Sequence, residues 1–153
     1  MSNDGIVKIG KNNYKTVALR VSEFREKFPI ESGWGIHTEV VSVNDSVVLM
    51  KASIVCPEGR VVAVGYAEEF RTERGINSTS ALEVCETSAI GRALAASGLA
   101  GTEYASADEV ANAIAQQNQR RQQQSRQQQS RQDAPPWDGR QPRGDEETPR
   151  RHK

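Results

Sequence analysis

Few residue types in this chain could do chemistry, and their spacing narrows the options further. The close acidic pairs of interest are Glu68-Glu69 and Glu83/Glu86. Glu68 and Glu69 are neighbours in a stretch that alternates like a strand, so they point to opposite faces and cannot share a task. Glu83 and Glu86 lie on neighbouring helical positions and would need ligands from elsewhere to hold a metal. Cys56 and Cys85 lack metal-ligand spacing, and the two histidines, His37 and His152, do not complete a set. Both cysteines read as small buried hydrophobes in a reducing compartment. No Gly-rich phosphate loop, HExxH, CxxC or GxSxG occurs. An enzyme reading has no constellation to stand on, and no cofactor or metal is expected. The remaining candidate is cationic. Arg92 is the one basic residue between Arg74 and Arg120, and it sits in a mostly apolar stretch. A lone guanidinium there needs a partner, either an acid such as Glu86 or a phosphate.

The element that positions Arg92 is the stretch 77–101, NSTSALEVCETSAIGRALAASGLAG. Ser80 and Glu83 have the spacing of a capping box, and Gly98 fits the left-handed position that closes a helix. Leu82, Cys85, Ala89, Ala93 and Ala96 form one apolar stripe. Val84, Ile90, Leu94 and Ala95 lie off it, so the helix packs against two surfaces or is largely buried. Gly91 costs about 1 kcal/mol relative to alanine in a helix interior. Its presence suggests that another backbone or a ligand comes close.

Upstream, residues 1–13 read as a flexible polar start. Thr16 to Val21 alternates enough for a short strand. Ser22 then caps a short helix from Glu23 to Phe28, which Pro29 ends and which Phe24 and Phe28 dock on the core. Three alternating runs follow, at 35–44, 46–56 and 60–72, separated by Asn44-Asp45 and Pro57-Glu58-Gly59. They predict an antiparallel meander, with a bend at Gly65 in the third strand. Ser106 and Glu109 form a second capping box that starts a final helix. The fold class is therefore α+β: a three-stranded antiparallel meander packed by a long central helix, with a short N-terminal and a C-terminal helix.

Charge divides the chain at about residue 116. Residues 1–115 hold 11 Lys/Arg and 15 Asp/Glu, while residues 116–153 hold 9 and 5, so the formal net charge of zero hides a mildly acidic domain and a basic tail. The run QQNQRRQQQSRQQQSRQ has nothing to bury. It can extend the last helix for some turns, because Gln and Arg are good helix formers. The expected organisation is an α+β domain over 14–115 and a disordered, basic Gln/Arg-rich tail over 116–153. Pro135-Pro136-Trp137 in that tail reads as plain linker or as a short docking peptide. No stretch approaches the ~20 apolar residues of a membrane span, and MSNDGIVKIG has no apolar core of the length expected of a signal peptide.

The central stretch resembles the phage single-strand annealing proteins of the Erf and Sak types, which share a superfamily with the eukaryotic recombination mediator that anneals DNA strands. The residues that carry the resemblance are Ala81, Glu83, Thr87, Ala89, Gly91, Arg92, Ala93, Leu94, Gly98 and Gly101, with Gly33-Trp34 upstream. It covers roughly residues 14–110. The resemblance implies a ring or filament of copies holding single-stranded DNA along a positive groove, ATP-independent annealing in phage homologous recombination, and a place in the cytoplasm (the host's, if phage-encoded). It carries Arg92 over as a DNA-binding residue. Lys51, Arg60, Arg71 and Arg74 join it by charge and by location on or beside the sheet. Trp34, Tyr66 and Phe70 are the aromatics that could stack on bases. The tail could contact DNA loosely or bind a replication or recombination protein. Two alternatives stand beside this reading: a passive single-strand binder, and a small oligomeric scaffold without DNA affinity.

Overall fold

A computed structural model of the chain describes residues 5–73 and 75–132, with side chains as far as residue 129. It divides into two units, Met1–Gln117 and Asn118–Lys153. The first begins with a hairpin of β1 (Ile6–Ile9) and β2 (Asn12–Lys15), where a flexible start is expected from the composition. Helix α1 (Val17–Lys27) follows, capped by Thr16, whose side chain accepts from Leu19 N. The strand expected at 16–21 and the Ser22 cap are thus replaced by one longer helix. Val17, Arg20 and Phe24 all turn inward from it at helical spacing. Phe24 is buried in the core and Phe28 packs against it, as their spacing predicts.

The meander is β3 (Gly35–Val43), β4 (Val47–Val55) and β5 (Val61–Phe70), antiparallel in that order. The register places Val48, Met50, Ala52 and Ile54 of β4 opposite Glu69, Ala67, Gly65 and Ala63 of β5. These positions face the core. Helix α2 (Ala81–Leu94) crosses that face and runs into a π-helical turn, Ala95–Leu99, in which Gly98 takes φ 98°. The expected left-handed residue is therefore present, while the expected Ser80–Glu83 box is not: Ser80 makes no side-chain cap bond.

The small residues of α2 have a physical reason. Ala81, Cys85, Ala89 and Ala93 recur every four positions and lie against Ala52 and Ala63 with no exposed surface of their own. A helix edge of small side chains brings backbone close to the sheet, and Gly65 is where it comes closest. Leu82, assigned to this stripe by its spacing, is instead 40% exposed, and Ala96 is also exposed. Leu94 is fully buried, which contributes roughly 1.5–3 kcal/mol. At Gly91 the close neighbour is a side chain. A Cβ there would lie 2.7 Å from Val17 Cγ2, so the glycine lets α1 seat against α2.

Helix α3 (Ala107–Gln132) starts with the predicted capping box. Ser106 N donates to Glu109 Oε2 at 2.8 Å, and Glu109 N donates to Ser106 Oγ at 3.1 Å. The change of composition at Gln116 does not end the helix, which continues through 116–132, the extension that helix-forming Gln and Arg allow. The Pro135-Pro136-Trp137 motif and the rest of 133–153 lie outside the described residues. Among those described, no helix is long and apolar enough to cross a membrane.

Candidate nucleic-acid interface

Because side chains alternate along a strand, burying one face of the meander under α2 leaves the other to carry Glu39, Lys51 and Tyr66 in one cross-strand row. The next row has Ser42, Leu49 and Glu68, and Phe70 lies beside Val47. Tyr66 and Phe70 are each 54% exposed. They sit four residues apart on β5, on the same face and roughly 13 Å apart along the strand. Val61 at the far end is 51% exposed. This surface combines two accessible rings, aliphatic side chains and one lysine, and it is available for stacking.

Its electrostatics are balanced rather than positive. Lys51 Nζ is 3.3 Å from Glu39 Oε2, and Glu68 stands on the same face. Arg60 is exposed in the β4–β5 turn. Arg71 lies just beyond the opposite end of β5 and donates through Nε to Asn44 O at 3.2 Å. Arg60 and Arg71 are thus separated by the length of the strand, roughly 36 Å. Arg74 lies outside the described residues. The structure therefore lines up Arg60, Lys51 and Arg71 along the meander without clustering them.

Arg92 belongs to a different place. It projects from α2, the helix on the buried face, and its Nη1 is 3.4 Å from Glu109 Oε1. Its guanidinium stands 5.5 Å from the centre of the Tyr104 ring. Glu86, the acid that helical spacing suggested as its partner, accepts from Thr38 Oγ1 instead. Glu109 thus serves the α3 cap with one oxygen and Arg92 with the other. Trp34 is also absent from the open face. It stacks on Phe28 with ring centres 4.4 Å apart, at the end of α1.

Two sets of residues were not singled out individually by sequence reasoning. The first is Arg120, Arg121 and Arg126 of the second unit, all exposed on a helix. No acidic residue occurs between Glu109 and Asp133, so this stretch is uniformly cationic. The sequence marks the stretch as a basic run able to extend the last helix, and the helix presents these three arginines to solvent. The second is Arg20, a fully buried guanidinium that donates to four carbonyls: Gly91 O at 2.9 Å, Ala100 O at 3.2 Å, Glu103 O at 2.9 Å and Ala105 O at 3.0 Å. Desolvation lowers its pKa from the usual arginine value, opposed by Glu109 and Asp108 nearby. Arg20 holds structure and leaves no charge for a ligand. Cys85 is equally structural. Burial raises its thiol pKa, and Sγ donates to Val48 O and Ala67 O. Among the described residues no group of His, Cys, Asp and Glu could hold a metal ion.

Fold and surface together define a small α+β domain with one sheet face covered by a helix and the other presenting aromatics. The chain belongs to the Slr1353 N-terminal dsRNA-binding domain-like family, which matches residues 21–97, half of its length. The match runs from within α1 through the meander to the turn after α2. It is to this family and not to the Erf or Sak annealing proteins that the central helix resembles. No curated protein and no solved structure matches the chain.

Proposed function

We propose that this protein binds nucleic acid without sequence preference, taking single-stranded DNA on the open face of the meander, and that it anneals complementary strands as a homo-oligomer. The observation that carries the reading is the exposed pair Tyr66 and Phe70 flanking the row of Lys51. Aromatic rings stack on any unpaired base, which favours single strands over duplexes. Membership of a family described as dsRNA-binding domain-like supports nucleic acid as the partner class. The cations that supply phosphate contacts are Lys51, Arg60 and Arg71 on the domain and Arg120, Arg121 and Arg126 on α3, with Arg92 on the helix side. So few contacts per copy bind weakly, and several copies in a row convert them into useful affinity. Among the described residues β3 and β5 each pair on one side only, leaving two edges through which copies can join. The reaction needs no catalytic group. It needs a strand held with its bases accessible to a second strand.

The test compares labelled oligo-dT, duplex DNA and duplex RNA at two salt concentrations, followed by duplex formation from complementary strands without ATP. Oligo-dT should bind most tightly, with affinity falling as salt rises. Tyr66→Ala and Phe70→Ala should each weaken it by about tenfold, since a stacked base contributes about 1–3 kcal/mol. Equal binding of duplex RNA, indifferent to both substitutions, would move the reading to a duplex-RNA binder recognising shape and phosphate. Tight binding without faster pairing would leave a passive single-strand binder. Absence of binding at low salt would leave the scaffold.

Arg92 has its own prediction. Glu109→Gln keeps an oxygen for the Ser106 amide, so the α3 cap survives, but it removes the charge that pairs Arg92. Affinity for oligo-dT should rise about threefold at low salt, the size of one exposed ion pair. An unchanged salt titration curve would show that Arg92 meets no phosphate.

A further inference from the structure

Three local irregularities meet near the end of α1, on the α2 side of the sheet. One is the π-helical turn Ala95–Leu99, a geometry frequent at functional sites. The second lies in β5. Val61 pairs with Val55 and Ala63 with Ile54, so Val62 is the extra residue of a bulge, a device that re-aims a side chain. The third is the stack of Phe28 on Trp34, whose carbonyl accepts from Arg25 Nη1 at 2.9 Å. Between them lies a cavity of about 310 Å³, with the buried Phe24 and Ile54 at its base and Lys27 in its lining. Stacking on the open face of the meander leaves this cavity unused.

Its polar groups narrow what it can take. The Lys27 ammonium stands 5.6 Å from the centre of the Phe28 ring and makes no ion pair among the described residues. Ser97, also in the lining, donates its hydroxyl to Leu94 O at 2.8 Å, which leaves its lone pairs free to accept from a ligand N–H. An aromatic slot with a cation at one side and an acceptor in its wall suits a flat heterocycle that carries an anion. An apolar side chain of a protein partner would leave Lys27 and Ser97 unanswered. The volume is at the lower end of ligand pockets, enough for one base with its sugar and too small for a dinucleotide. We propose that the cavity binds a single nucleobase, its ring packed on Phe28 and Trp34 and its phosphate at Lys27. This second site rests on the nucleic-acid reading above where the base belongs to a bound strand; a free nucleotide offers the same chemistry.

The experiment uses the full chain carrying Trp137→Phe, in which Trp34 is the one tryptophan. Oligo-dT and thymidine monophosphate are titrated separately, and the Trp34 indole N–H resonance reports occupation of the cavity. A saturable shift is expected. A shift with oligo-dT alone assigns the site to a bound strand, and an equal shift with the mononucleotide assigns it to a free nucleotide. Lys27→Glu, on an exposed side chain, should weaken the shift-monitored binding about tenfold by repelling the phosphate. Ala96→Phe fills the cavity from an exposed position in its wall, removes no core side chain, and should abolish the shift. Absence of a Trp34 shift with both ligands overturns the proposal, as does a shift indifferent to Lys27→Glu. Oligo-dT binding that depends on Tyr66 and leaves Trp34 unmoved overturns it while keeping the meander as the interface. A Lys27-dependent shift with the mononucleotide, without any binding of oligo-dT, upholds the cavity and removes the strand-binding reading instead.

Discussion

Arg20→Met is expected to lower the stability of the domain by about 4 kcal/mol, the cost of breaking a buried charged network. Methionine approximates the length of the arginine stem, so the loss falls on the hydrogen bonds and not on packing. Nη1 and Nη2 of Arg20 reach Gly91 on α2 and Ala100, Glu103 and Ala105 on the connector to α3. Those four carbonyls lose their charged donor together. A buried acceptor left unpaired costs about 1–3 kcal/mol, and partial relaxation towards water keeps the total below the sum. In urea the midpoint should fall by about 2 M with an unchanged slope. Arg20→Lys should recover part of the loss, because an ammonium has donors but cannot span four carbonyls from one planar fork. A loss under about 1 kcal/mol for Arg20→Met would mean that the connector holds its shape without the guanidinium.

Substitution of Gly65 is expected to be at least as damaging. A Cβ at this position would collide with the α2 backbone at Ala89 O, Ala93 N and Arg92 C. Side chains can rotate away from an intruding methyl, but a helix backbone cannot. The whole of α2 would have to lift from the sheet, opening the contact among Ala52, Ala63, Ala89 and Ala93. Overpacking against mobile side chains costs about 1–3 kcal/mol. Against backbone, Gly65→Ala should cost about 3 kcal/mol or more, and Gly65→Val should prevent folding. Val64→Ala is the control. Val64 is the next residue along β5 and points to the opposite face, so it should cost no more than about 1 kcal/mol. Thermal unfolding of the three variants decides the matter. A Gly65→Ala protein within about 1 kcal/mol of the parent would show that α2 shifts easily on the sheet.

The same close approach makes the open face reliable as a surface. With Gly65, Ala63 and Ala67 pinned under α2, alternation leaves Val64, Tyr66 and Phe70 no place but outward. Tyr66 and Phe70 are therefore held outward on a strand of the sheet, as the proposed base stacking requires.

Much of this was legible in the residues alone. The period-two runs between Asn44-Asp45 and Pro57-Glu58-Gly59 placed three strands within a few residues of their observed ends, because turn chemistry and alternation are local properties. Likewise Ser106 and Glu109 form a reciprocal cap three residues apart, and that geometry is written in their spacing. Other features depend on what arrives from far along the chain. Thr16 rather than Ser22 starts α1, because Val17 and Arg20 must reach α2 and its connector some 70 to 85 residues away. Arg92 pairs with Glu109 and not with Glu86, because α3 delivers that acid while Glu86 turns to Thr38 on β3. Composition showed a sheet with aromatics but not which aromatics stay uncovered. Only the side of the meander that α2 takes decided that Tyr66 and Phe70 face outward while Trp34 lines a cavity. A chain fixes its local geometry through neighbours in sequence, but exposure and charge pairing are settled by neighbours in space.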